Sequence, residues 1–178
     1  LGYVHQNPMI HFQQETVDEE LDDQSKIQDL QDQRSDNRAE LIELFELSHL
    51  LDKHPYDCSG GEQQKIAIAK ALLEKPDVLI LDEPTKGIDP VSKLNLARMF
   101  KKLQENGLTL IMTTHDIDFA AEYTERCVLI FDGGIQVDDT PRTVFSNNNF
   151  YTTFVNRMVK DYLPNSITLN DVRNKWMI

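Results

Sequence analysis

Apolar residues in this chain come in short runs separated by long polar stretches, and the spacing of the runs outlines the fold. Residues 78–81 read VLIL, four apolar positions between Pro76-Asp77 and Asp82. An unbroken run of that length, bounded by turn and charged residues, predicts a strand buried on both faces. Leu108–Met112 and Cys127–Phe131 are further strand-like runs, and helical periods fill 91–105 and 117–124 between them. Asn106-Gly107 closes the first of those helices, and Asp132-Gly133-Gly134 forms a turn into a short strand at Ile135–Val137. Strands alternating with helices predict an α/β fold, a parallel sheet covered by helices on both faces.

Upstream the pattern changes. Gly2–Val4 predicts a short strand, followed by a polar loop broken at Asn7-Pro8. Thr16 and Glu19 have capping-box spacing, so a helix is expected to start there. Residues 22–37 are almost wholly polar and read as exposed or mobile. From Arg38, the positions Leu41, Ile42, Leu44, Phe45 and Leu47 predict an amphipathic helix ending before Pro55. A helix with a broad buried face runs through Ile66, Ala67, Ile68, Ala69, Ala71, Leu72 and Leu73 and stops at Pro76. In the tail, helices are expected near 142–145 and 150–162, and Thr168 with Asp171 caps a last one.

Composition narrows the function classes. The chain has 178 residues, about one domain, and 40% hydrophobic residues suit a packed core. No run approaches the roughly 18–20 apolar residues of a membrane span. Net charge is −12, and residues 1–57 carry fourteen acids against four bases. Such an acidic segment reads as a solvated helical face and argues against nonspecific nucleic-acid binding, which needs a basic footprint. Cys58 and Cys127 lie far apart with no C-x-x-C pair, which fits a reduced cytosolic protein. His5, His11, His49 and His54 show no ligand spacing and read as surface residues. The start at Leu1, strand-like and without a signal pattern, reads as a cut through a domain.

Two stretches carry chemistry. CSGGEQQ, 58–64, puts Ser59, Gly60 and Gly61 in front of a helix, an arrangement that lets backbone N–H groups and a hydroxyl face a phosphate. VLILDEPT, 78–85, ends a buried strand in Asp82-Glu83 at the carboxyl edge of the sheet, where α/β folds bind ligands. Asp82 is suited to hold Mg²⁺ beside a nucleotide. Glu83 could orient or deprotonate an attacking water. No GxxxxGK[ST] loop occurs between Leu1 and Ile178.

The order and spacing of four elements resemble the ATP-binding-cassette (ABC) ATPases: YVHQNP at 3–8 their Q-loop, CSGGEQQKIAIAKAL at 58–72 their signature loop and helix. LILDEPTKGIDP at 79–90 is similar to their Walker B strand, catalytic glutamate and D-loop, and MTTHD at 112–116 to their switch-histidine strand. The resemblance reaches to about residue 145. It implies a partial P-loop NTPase-like domain over 1–178: a helical subdomain at 14–76, a catalytic α/β part at 77–140 and a helical tail at 141–178.

It also implies roles. Gln6 would contact Mg²⁺ or the attacking water and sense the transmembrane partner, and Ser59, Gly60 and Gly61 would hold a γ-phosphate. Asp82 would bind magnesium and Glu83 would act on water. Asp89 would make the D-loop contact across a dimer, and His115 would touch the γ-phosphate. In this family two ATPase domains meet head to tail, each signature loop closing over ATP on the other domain. The Walker A lysine that completes this chain's own site is then expected upstream of Leu1, by truncation. Cys58 stands where the family usually has Leu, and Lys86-Gly87-Ile88 departs from the commoner D-loop.

Within the family, GYVHQNP with its acidic helical insert and the tail VFSNNNFYTTFVNRM look like the energy-coupling-factor importers, and more narrowly like the second half of fused, duplicated ATPases. This implies a peripheral protein on the cytoplasmic face of the membrane, with ATP and Mg²⁺ as ligands. Its partners would be a second ATPase domain and a transmembrane coupling protein, and the cargo a vitamin or transition-metal ion. Two other readings remain open: a soluble ABC ATPase of the translation or repair type, and a noncatalytic nucleotide-sensing or interaction module.

Overall fold

A computed structural model of the protein describes residues 1–22, 31–146 and 150–176. They fall into two compact units, Leu1–Thr113 and Thr114–Ile178.

The first unit is built on three parallel strands, β1 (Gly2–Val4), β2 (Val78–Asp82) and β3 (Thr109–Thr113), in the order β1-β2-β3. Val4 pairs with Leu81 and Leu81 with Met112, so the three carboxyl ends lie side by side. Laterally paired residues share a face. Val4, Leu79 and Leu81 are buried, whereas Tyr3 and Ile111 on the other face stay 49% and 51% exposed. The two-sided cover expected from the apolar runs is therefore uneven.

The helices of this unit are α1 (Val17–Leu21), α2 (Gln31–Leu44), α3 (Gly60–Leu72) and α4 (Pro90–Glu105). Thr16 and Glu19 form the expected capping box on α1. The polar stretch 22–37 contains a surprise: α2 begins at Gln31, seven residues before the apolar period does. Gln, Arg, Ala and Glu are good helix formers, so a polar start can propagate on backbone preference. Residues 23–30 of that stretch lie outside the described residues. Asn37 ties α2 to the end of α3 through its side-chain N–H groups, donated to the carbonyls of Leu72 and Leu73 at 3.3 and 3.2 Å. α3 buries Ile66, Ala67, Ile68, Ala69 and Leu72, and α4 buries Leu96, Ala97, Met99, Phe100 and Leu103.

The second unit holds α5 (Ile117–Tyr123), the strands β4 (Cys127–Phe131) and β5 (Gly134–Asp139), α6 (Pro141–Ser146), α7 (Phe154–Val159) and α8 (Leu169–Trp176). β4 pairs antiparallel with β5 and does not extend the parallel sheet, as its place in the strand-helix alternation suggested. The cause is the turn: Asp132 and Gly133 both take positive φ, 49° and 72°, the geometry that joins antiparallel strands in two residues. Ala120, Ala121, Val144, Phe145 and Ile167 form the core, with Ile117, Cys127, Leu129 and Val137 packed on it. The helix expected over 150–162 is shorter, Phe154–Val159, because Thr153 caps it by accepting from the Asn156 N–H at 3.0 Å. Thr168 and Asp171 do cap α8 reciprocally, at 3.1 and 2.9 Å.

Candidate functional site

The carboxyl edge of the parallel sheet gathers the first group of candidate residues. Gln6 follows β1, Asp82 ends β2 with Glu83 next, and Thr113 ends β3 directly opposite Asp82. The Thr113 hydroxyl donates to Asp82 Oδ1 at 2.6 Å, which fixes the carboxylate rotamer. The Glu83 N–H donates to the Thr113 carbonyl at 3.0 Å. Glu83 itself sits at φ 48°, a left-handed conformation unusual for a residue with a side chain. The sheet edge holds it there, and such held strain is a mark of functional positions. Thr113 is the member that motif reading left without a role. Its register opposite Asp82 could be found only once the strands were paired.

The second group surrounds the start of α3. Ser59 is its N-cap: its hydroxyl oxygen accepts from the Glu62 N–H at 3.4 Å, while Glu62 accepts from the Ser59 N–H at 2.7 Å. That bond to the Ser59 backbone comes first among the causes that hold the Glu62 carboxyl below its ordinary range. The N–H groups of a first helical turn have no partner inside the helix, so Gly60 and Gly61 remain suited to an anion.

Gly61 also packs tightly. A Cβ there would stand 2.9 Å from Ile88 Cγ2 and 3.1 Å from Ser92 Oγ, so the loop lies directly on the segment holding Asp89. Asp89 caps α4, accepting from the N–H groups of Val91 and Ser92 at 2.9 and 3.0 Å and from the Ser92 hydroxyl at 2.6 Å. These bonds, the Ser92 hydroxyl first, lower its carboxyl pKa. Asp-Pro at 89–90 is a helix-start signal that motif reading passed over. Cys58 is buried, and burial pushes its thiol up, as it does for Cys127, so neither is a ready nucleophile.

His115 belongs to the second unit, where its carbonyl accepts from the Ile117 N–H at 3.0 Å just before α5. The first unit thus brings together Gln6, Asp82 and Glu83 at one sheet edge, and Ser59, Gly60, Gly61 and Asp89 at one pair of helix starts. Among the described residues, no three His, Cys, Asp or Glu side chains meet as a metal site. Asp82 with Gln6 is an all-oxygen donor set of one carboxylate and one amide. That suits magnesium, which takes few protein ligands and fills its shell with water and phosphate oxygens.

Strand-end carboxylates on a parallel sheet, with a glycine-headed helix in the same unit, define an α/β protein suited to a phosphorylated ligand. Residues 1–86 match the ABC transporter family model. A protein named as an ABC transporter ATP-binding protein in Bacillus thuringiensis subsp. konkukian is 44% identical over 97% of this chain, which spans 31% of that relative's length. The energy-coupling factor transporter ATP-binding protein EcfA2 of Latilactobacillus sakei is 40% identical over 68% of this chain and 41% of its own. The solved structure of cbiO1 from Clostridium perfringens, part of the transporter complex cbiONQ, superposes with a TM-score of 0.75 at 29% identity, covering 92% of this chain and 64% of that one. A dimeric ATP-binding cassette bound to ADP and Pi gives 0.66 at 29% identity, covering 79% and 62%. The chain belongs to the ABC transporter family.

Proposed function

We propose that this chain carries the hydrolytic half of an ATP site and energises an importer of the energy-coupling-factor type, for a vitamin or transition-metal ion. The observation that carries the reading is the sheet edge itself, where Thr113 fixes Asp82 and the strained Glu83 follows at once. The likeness to EcfA2 and cbiO1 supports the importer branch.

In this reading Asp82 and the Gln6 amide oxygen would hold Mg²⁺. When bound, magnesium neutralises charge on the phosphate oxygens. Glu83 orients the attacking water and accepts its proton at the side-chain carboxylate. His115 touches a γ-phosphate. Ser59, Gly60 and Gly61 serve a different nucleotide, held by a second ATPase domain docked head to tail, and Asp89 meets that domain through the D-loop. A lysine-bearing glycine loop completing the first site would come from sequence outside residues 1–178. Most of the catalysis is positioning and charge stabilisation, as phosphoryl transfer requires. The helical part at 14–76 and the loop of Gln6 face a transmembrane coupling protein, which puts the ATPase on the cytoplasmic face of the membrane. Among the described residues no helix is long and apolar enough to cross it.

The test is ATP turnover by the natural full-length protein. Glu83→Gln is expected to lower it about 10²–10⁴-fold, the scale of general-base loss, with ATP binding retained. Equal turnover by mutant and wild type would remove Glu83 from the role. Copurification with a small membrane protein supports the importer, and recovery with ribosomes or DNA instead would turn the reading toward a non-transport ABC ATPase.

A further inference from the structure

One buried charge has no part in that scheme. Glu20, on α1, has no exposed surface, and its carboxylate accepts from the backbone N–H groups of Gln13 and of Gln14, the latter at 2.6 Å. It also pairs with Lys70 on α3, whose side chain is only 20% exposed. Lys70 donates in addition to the His11 carbonyl at 2.8 Å. His11 in turn accepts the His5 N–H at its Nε2, 3.0 Å away, and His5 Nδ1 accepts the Asn7 N–H at 3.1 Å. Each bond leads to the next, and the series ends on both neighbours of Gln6.

The geometry points to Glu20 as a positioning residue that, through Lys70, holds the loop of Gln6 on the helix headed by Ser59. This rests on the functional reading above, because it is there that Gln6 and Ser59 serve nucleotides. A buried ion pair is a poor source of stability: removing two charges from water costs several kcal/mol per ion, and well-packed apolar residues often do as well. Its better-attested use is to fix one geometry among several. Here the loop between β1 and α1 has few other ties. Its short helical turn at Pro8–His11 buries none of its residues, and Met9 and Ile10 are exposed. Phe12 is the buried apolar side chain of this loop, and the stretch next to Gln6 is tied instead by the carboxylate, the ammonium and three backbone groups. His11 must present a neutral Nε2 to accept from His5. Burial, followed by the Lys70 charge, lowers its pKa and favours that form.

The test compares Glu20→Gln, Lys70→Met and Lys70→Arg in the natural full-length protein, with amide exchange over residues 5–14 and steady-state kinetics as readouts. Glu20→Gln keeps an acceptor for Gln13 and Gln14 and removes only the charge facing Lys70. Lys70→Met and Glu20→Gln are each expected to speed exchange at His5 and Asn7. Each should also lower kcat about 10-fold, within the usual range for couplings between packed sites, with KM for Mg-ATP within about twofold. Lys70→Arg, which keeps charge and donors, is expected to restore both. Unchanged exchange at His5 and Asn7, or faster exchange with unchanged kcat, overturns the positioning role. So does an equal loss in Lys70→Arg, which would mark a purely structural lysine. Glu83→Gln in the same series separates the two levels. If it abolishes turnover while Lys70→Met does not, only the positioning role falls; if it changes nothing, the hydrolytic reading falls and takes this role with it.

Discussion

The tail of the second unit and the sheet edge of the first spend their polar side chains in opposite ways. In the tail Thr152, Thr153, Asn156 and Ser166 are buried and turned on one another. Thr152 donates to the Phe145 carbonyl at 2.7 Å, and Asn156 donates to the carbonyls of Pro164 and Ser166 at 2.7 and 3.0 Å. Asp171 accepts from Arg142 at 2.6 Å and from the N–H groups of Ile167 and Thr168. In the first unit the polar residues at the sheet edge and the two helix starts lie at or near the surface, and Glu83 is held in a costly conformation. Groups that satisfy each other internally fold a segment that is too polar to close on apolar contacts alone. Groups held in place while still facing outward can bind and react. The contrast separates folding from chemistry more clearly than motif matching does.

The largest expected effect lies on the folding side. Asn156→Ala removes the donors from the Pro164 carbonyl and the buried Ser166 carbonyl, and should cost about 3 kcal/mol, read from denaturant unfolding. A loss under about 1 kcal/mol would mean that the tail is held by its apolar core instead. On the chemistry side, Gly61→Val pushes the loop against Ile88 and Ser92. It should lower turnover about 30-fold at a temperature where the variant is folded, since small misplacements are felt strongly in catalysis. Unchanged turnover would detach Ser59–Gly61 from the site.

Asp171 provides a pH test. Burial pushes its carboxyl up, but the Arg142 hydrogen bond and the Ile167 and Thr168 N–H groups outweigh that and hold it at about 2, below the ordinary 3.8. Because the folded value is the lower one, its stabilisation is complete above about pH 4 and is lost as pH falls toward about 2. With solvent screening at the half-exposed Arg142 allowed for, the loss is about 1 kcal/mol, and Asp171→Asn should flatten that part of the profile. Ser59→Ala tests the smallest term. The cap bond is long at 3.4 Å, so stability should fall by only about 0.5 kcal/mol, while turnover falls more if the hydroxyl serves a phosphate.

Local signals in the sequence foretold local structure well. The runs at 78–81 and 108–112 became β2 and β3, and Thr16-Glu19 and Thr168-Asp171 became caps, because each depends on neighbours a few residues away. The start of α2 at Gln31 was invisible, since a helix without an apolar period leaves no pattern to read. The pairing of β4 with β5 was half visible, in its turn but not in its consequence for the sheet. Asp82 and Glu83 could be singled out by their place after a buried strand. Thr113, 31 residues on, and the Glu20–Lys70 pair, 50 residues apart, could not, because only the folded chain makes them neighbours.

The most direct measurement sets Glu83→Gln beside Asn156→Ala in the natural full-length protein, with ATP turnover measured at a temperature where both are folded. If sheet edge and tail divide chemistry from folding, Glu83→Gln loses turnover about 10²–10⁴-fold and keeps the wild-type unfolding midpoint. Asn156→Ala then loses stability and keeps turnover within about twofold. Turnover that falls alike in both, or survives in Glu83→Gln, would contradict the account.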